Sequence, residues 1–273
     1  MAASTGKSLG VAVAGLGAVG MPVALRLAAG IRGLHLAAVS ARDRERAAAR
    51  LAAAGIAVPV LELGELAPIA EVIVECLPAA SFRQIAEPAI AAGRIFMPLS
   101  VGGLLENFDL VERAEASGAR IIVPTGALLG LDAVRAAAEG EIRSVAMITR
   151  KPPSALIGAP YLAEHGISLV GLNAPRRVFA GTAREGARGF PANVNVAAAL
   201  ALAGIGPDRT RLEIWADPTI ERNTHRIEVE ADSARFQMTI ENVPSENPRT
   251  GRLTPLSVIA CLRGLVSPLR VGT

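Results

Sequence analysis

The chain has 273 residues and a mass of 28.1 kDa, with 51% hydrophobic and 19% charged residues. That balance excludes a disordered polyelectrolyte, and the length supports a core that needs no disulfide or metal staple. Basic residues number 28 and acidic residues 25, a net charge of +3 with the two signs interspersed, which argues against a nucleic-acid tract.

The first half alternates between strand and helix patterns. Residues 9–25 carry no charge but contain four glycines and a proline, so the run reads as strand, turn and helix start rather than as an export signal or a membrane span. Residues 10–14 are predicted as a buried strand and 19–29 as a helix, with Val19, Val23 and Leu27 at four-residue steps. Strands follow at 34–39, 72–77, 95–99 and 120–124, and helices at 42–54, 81–92 and 104–117, the last two ended by Gly93 and Gly118. Continuous apolar strands alternating with helices imply a parallel sheet covered on both faces and wound in both directions. Cys76 and Cys261 lie far apart in apolar surroundings, as free thiols of a reducing cytoplasm would, and form no metal-ligand cluster.

After Thr125 the texture changes. Helices are expected at 131–139 and 193–203, and strands at 145–149 and 177–180. Strands at 211–216, 225–230 and 234–240 alternate with period two, which describes a mixed or antiparallel sheet with one wet face. The tail, 255–265, is a final apolar helix. The fold expected is α/β: an N-terminal doubly wound domain over 6–125, completed by the C-terminal helix within 252–273, and a second α+β domain over 126–251.

Gly15-Leu-Gly17-Ala-Val-Gly20 follows the first strand and opens a helix, the context that gives this glycine pattern meaning. Gly15 allows the turn, Gly17 lets backbone approach a diphosphate, and Gly20 lets helix and strand pack closely. The N–H groups around Ala18 and Val19 meet the phosphates at a helix N-terminus. This predicts a Rossmann domain binding NAD or NADP. The position of the usual ribose-binding acid is Ser40, followed by Arg42, which leans towards the 2′-phosphate of NADP; the alternative is that Arg42 is a solvated residue of an arginine-rich helix start.

Hydride-transfer chemistry needs a proton-exchanging group, and histidine fits. His35 and His165 read as structural or solvated. His225 begins a second-domain strand just after Asp217-Pro218 and Asn223, and is the catalytic candidate. Asn193 and Asn195 open an apolar helix: one is expected to cap it, the other to reach the cofactor or substrate. Arg150 and Lys151 sit beside Pro152-Pro153 and suit a carboxylate-bearing substrate. Lys151 is one of only two lysines in the chain. Phosphate-loop kinase, serine-esterase and zinc-hydrolase signatures are missing from the sequence.

Gly15-Leu-Gly-Ala-Val-Gly20, Ser100-Val-Gly-Gly103, Gly126-Ala-Leu-Leu-Gly-Leu-Asp-Ala133 and Thr149-Arg-Lys-Pro-Pro153 recur in a fixed order with Pro191-Ala-Asn-Val-Asn-Val-Ala-Ala198, Asp217-Pro218, Asn223-Thr-His225 and Asn247-Pro-Arg-Thr250. In that order the chain resembles the L-aspartate dehydrogenase family, which shares its layout with dihydrodipicolinate reductase and homoserine dehydrogenase. The resemblance implies oxidation of L-aspartate to iminoaspartate, which yields oxaloacetate and ammonia or feeds NAD biosynthesis. It implies that His225 is catalytic, that Ala127 and Asn195 bind cofactor, and that the protein is a homodimer. Leu129 stands where the family commonly has glycine, and Ser40 where NAD users often have an acid. The alternatives are a dehydrogenase of another small amino or dicarboxylic acid, or a cofactor-binding sensor without catalysis.

Overall fold

The computed structural model describes residues 8–191, 193–245 and 251–272. In chain order the elements are β1 (Leu9–Ala14), α1 (Gly20–Ala28), β2 (Leu34–Ser40), α2 (Arg44–Ala53), α3 (Leu66–Ile69), β3 (Val72–Glu75), α4 (Phe82–Ala91), β4 (Ile95–Pro98), α5 (Val101–Glu106), α6 (Asp109–Ser117) and β5 (Arg120–Ile121). They continue with α7 (Leu131–Ala138), β6 (Ile142–Lys151), α8 (Pro153–Leu156), α9 (Pro160–Glu164), β7 (Arg176–Thr182), α10 (Ala183–Gly189), α11 (Asn195–Ala203), β8 (Thr210–Ala216), β9 (Asn223–Ala231), β10 (Arg235–Asn242) and α12 (Leu253–Val266). The chain divides into two compact units: residues 1–100, 107–124 and 255–270 form the first, and 101–106, 125–254 and 271–273 the second.

The first unit is a parallel sheet in the order β2-β1-β3-β4-β5. Strands are added on one side of β1 and then on the other, as in a doubly wound sheet, and this change in strand order places the β1–α1 turn at the switch point. Val11, Val13, Val39, Val72 and Val74 share one core with Val23 and Leu27 of α1, Leu51 of α2, and Val258 and Leu262 of α12. Phe82 of α4 meets Phe96 of β4 edge to face at 5.7 Å. Each such side chain contributes about 1.5–3 kcal/mol when fully buried. Asp43 caps α2 by accepting the Arg46 N–H at 3.0 Å.

Two departures from the predicted elements have local causes. The helix expected over 104–117 is two helices, because Arg83 of α4 holds both Asn107 and Asp109 where the break falls. The last strand, expected to reach residue 124, stops at Ile121. Ile122 still donates to Phe96, but Pro98 has no N–H to continue the ladder.

The second unit is a mixed sheet in the order β10-β9-β6-β8-β7, in which only β6 and β8 run parallel. Along β6 the buried positions are Ile142, Val145, Met147, Thr149 and Lys151, and along β9 Asn223, His225, Ile227, Val229 and Ala231. The period-two pattern thus carries a hydrophobic face into a polar end. Among the described residues no helix is long and apolar enough to cross a membrane.

Candidate active site

The first unit supplies the cofactor cradle. Gly15 has φ of +92°, and a Cβ there would stand 2.5 Å from the Cys76 carbonyl oxygen. A Cβ on Gly20 would collide with the Gly15 carbonyl, whereas one on Gly17 would meet nothing within 4 Å. Gly17 is exposed, Ala18 and Val19 are half-buried, and α1 begins with no side-chain cap. Backbone N–H groups are therefore presented at an uncapped helix start that a side chain would obstruct, and these residues fit a diphosphate. Ser40 is buried, and its carbonyl accepts the Gly15 N–H at 2.7 Å, locking β2 to the loop. Arg42 is exposed.

These glycines separate binding from folding. Gly17→Ala should leave the melting temperature unchanged yet weaken dinucleotide binding at least roughly tenfold, because the new methyl occupies the diphosphate's approach. Gly20→Ala should lower stability itself by about 1–3 kcal/mol. Thermal melting and cofactor titration of the two variants check both outcomes.

Glu75 ends β3 at the same edge of the sheet and is fully buried. Its carboxylate accepts the N–H groups of Leu77 (2.6 Å), Leu99 (3.2 Å) and Ser100 (2.9 Å), and meets the Ser100 hydroxyl at 3.0 Å. Burial raises its pKa, against the lowering effect of these donors. The carboxylate ties together the loops that follow β3 and β4. Its sequence signal is an acid ending a Val-Ile-Val strand, and sequence reasoning passed it over. The neighbouring Cys76 thiol is pushed well above its usual range, first by burial and then by Glu75, so it stays protonated. No group of ligands suited to a metal ion occurs among the described residues.

The second unit brings Lys151, Asn193 and His225 together. The antiparallel register pairs Thr149 of β6 with His225 of β9. The Thr149 hydroxyl lies 3.1 Å from His225 Nδ1. Lys151, two residues along the same face, donates to Asn193 Oδ1 at 3.1 Å. His225 is 2% exposed and Lys151 3%. Burial, and secondarily the Lys151 charge, lowers the His225 pKa to about 3. The imidazole is therefore neutral at physiological pH, beside the positive charge of Lys151. Asn223 is buried at the start of the same strand.

The remaining candidates are placed differently. Arg150 points to the opposite face of β6. It donates to Asp217 at 3.3 Å, and its guanidinium lies 5.1 Å from the Trp215 ring centre. Adjacent strand residues face opposite ways, so Arg150 and Lys151, both expected at a substrate carboxylate, lie on different faces of β6. The expectation that an asparagine caps α11 fails. The N-cap is Val194, without a side-chain cap bond; Asn193 serves Lys151, and Asn195 Oδ1 accepts the Gly102 N–H at 3.1 Å. Ala127 is held through its carbonyl by Asn242 Nδ2 at 2.8 Å. Thr149 and Asn242 had no assigned role in the sequence reading, although period two places Thr149 beside Lys151. His35 meets Ser8, and His165 stacks on Tyr161 at 3.8 Å, so neither joins the cluster. The segment Asn247-Pro-Arg-Thr250 lies outside the described residues.

The pKa of His225 sets a pH dependence of stability. The native imidazole stays neutral down to about pH 3, while the unfolded chain binds a proton near 6.5. Stability is therefore fully present above pH 6.5 and is lost as pH falls from there towards 3, at up to about 1.4 kcal/mol per pH unit. His225→Asn should flatten this part of a curve of melting temperature against pH.

A glycine-cradled parallel sheet, followed by a mixed-sheet unit bearing a buried lysine and histidine, defines a two-domain nicotinamide-dinucleotide-dependent dehydrogenase. Residues 15–124 match the homoserine dehydrogenase NAD-binding domain, and 132–265 match the aspartate dehydrogenase C-terminal domain. The chain is 55% identical over 267 residues to an L-aspartate dehydrogenase of Bradyrhizobium diazoefficiens, covering 98% of this chain and 95% of that one. It is 56% identical over 271 residues to L-aspartate dehydrogenase 3 of Bordetella bronchiseptica, covering 99% and 100%. In fold it is similar to the aspartate dehydrogenase of Thermotoga maritima, with a TM-score of 0.71 at 20% identity over 97% of this chain and 99% of that one. The chain belongs to the L-aspartate dehydrogenase family.

Proposed function

We infer that this enzyme oxidises L-aspartate with NAD or NADP as acceptor, giving iminoaspartate, which water converts to oxaloacetate and ammonia. The observation that carries the substrate is the similarity to L-aspartate dehydrogenases across nearly the whole chain.

The buried residues supply a mechanism. Lys151 offers a desolvated ammonium to a substrate carboxylate, oriented by Asn193. Asn223 completes the substrate-binding set, while Asn195 and Ala127 belong to the cofactor-binding set with the glycine loop. The bound nicotinamide supplies the hydride acceptor. His225 exchanges the proton, taking it from the substrate ammonium or from the water that attacks the imine. A resting pKa of about 3 makes His225 a weak base. Neutralising Lys151 with a carboxylate removes one of the two causes of that depression, so substrate binding itself raises the basicity of the imidazole. Thr149 fixes the ring while this happens.

The test is initial rates with L-aspartate under NAD and NADP, followed by the near-ultraviolet absorbance of the reduced cofactor, and the reverse reaction from oxaloacetate and ammonia. Turnover of L-aspartate well above L-glutamate and L-malate is expected. Preference for another acid would move the substrate assignment, and cofactor binding without turnover of any acid would favour a sensor. The family relation also supports a cytoplasmic homodimer, for which light scattering should give twice the 28.1 kDa chain mass.

A further inference from the structure

Arg50 lies on α2, and its exposed side chain reaches back to the glycine loop, where Nη1 donates to the Leu16 carbonyl at 3.1 Å. Helical side chains lean towards the N-terminus of their helix, which is how Arg50, in the last turn of α2, reaches the β1–α1 loop. The guanidinium is thus fixed against the cradle on the β2 side. In such folds the group at the end of β2 meets the adenosine ribose, and an acid there binds the 2′-hydroxyl and repels a 2′-phosphate. Here that residue is Ser40. Of the acids near the start of α2, Asp43 accepts the Arg46 N–H as the helix cap, Glu62 binds Arg44 at 2.6 Å, and Glu45 is exposed in the first turn. A cation held at this edge, with Ser40 in place of the ribose-binding acid, favours an extra phosphate.

We propose that Arg50, latched to the Leu16 carbonyl, is a specificity-determining residue that lets the cofactor site accept the 2′-phosphate of NADP. This rests on the reading of Gly15–Gly20 as a dinucleotide site. The latch holds one side of a planar fork, so the charge is delivered without the entropy of ordering a free arginine.

The experiment is calorimetric titration of the full-length protein with NADP⁺ and NAD⁺ in the absence of substrate, for the wild type and for Arg50→Gln, Arg50→Lys and Arg42→Gln. Glutamine removes the charge and keeps a polar, helix-compatible side chain, and melting curves confirm that each variant is folded. The wild type should bind NADP⁺ at least as tightly as NAD⁺. Arg50→Gln should lose at least about tenfold in NADP⁺ affinity with NAD⁺ changed by roughly twofold or less, and Arg50→Lys should fall between. Equal losses for both cofactors, no loss, or a selective loss seen only with Arg42→Gln would overturn the assignment. A wild type that binds neither cofactor would instead overturn the dinucleotide site on which it rests.

Discussion

His225→Asn should lower kcat for L-aspartate by roughly 10²–10⁴-fold, the range that a positioned proton acceptor contributes, while dinucleotide affinity stays the same. The substitution is small, and its amide can still meet the Thr149 hydroxyl, so the sheet should survive. Stopped-flow turnover together with a cofactor titration separates the two effects. The expected pattern follows from placement: His225 sits on β9 in the second unit, whereas the diphosphate cradle lies between β1 and α1 in the first. A variant with full turnover would remove the imidazole from the chemistry.

Lys151→Met is the second large effect. Loss of a buried charge-assisted bond, worth about 1.5–3 kcal/mol, should raise the KM for L-aspartate by roughly 10- to 150-fold. Methionine keeps the length and apolar bulk of the side chain, although it takes the ammonium donor away from Asn193 Oδ1, at a cost of about 1–3 kcal/mol in stability. The same variant has a spectroscopic signature. Lys151 is one of the two causes that hold His225 near a pKa of 3, so its removal should move the imidazole titration upward, towards 6.5. Imidazole chemical shifts followed against pH would show it. A KM effect without that shift would mean that Lys151 acts only on substrate. Arginine is not a conservative alternative here, because its wider planar fork replaces a compact ammonium at a buried position.

The cofactor half of the site was legible in the sequence because its determinants are local. Three glycines at fixed spacing, just after an apolar strand, specify a turn that the structure then forms, down to the Cβ collisions at Gly15 and Gly20. The second half is built by pairing across the sheet. Thr149 and His225 are 76 residues apart in sequence and meet only through the β6–β9 register, which local patterns do not encode. Lys151 stood out through the scarcity of lysine; its neighbour Arg150 was read with it as a second cation beside the Pro152-Pro153 turn, whereas both lie on β6, which runs to Lys151. The alternation that gives strands one buried face sends Arg150 to Asp217 and Trp215 instead. The capping reading of Asn193 and Asn195 fails for a related reason. Helix-start asparagines usually cap, but here Lys151 and the Gly102 N–H take their oxygens, so tertiary contacts override the local preference. Glu75 was missed because a buried acid on an apolar strand gains meaning only from the backbone donors that surround it.

The reaction class is tested most directly with L-aspartate deuterated at Cα. After turnover, mass spectrometry of the reduced cofactor should show the deuterium on the nicotinamide, because the Cα–H bond is expected to break with its electron pair. Deuterium recovered in solvent, with an unlabelled cofactor, would mean that the bond breaks by loss of a proton. The dehydrogenase account of Lys151 and His225 would then be contradicted.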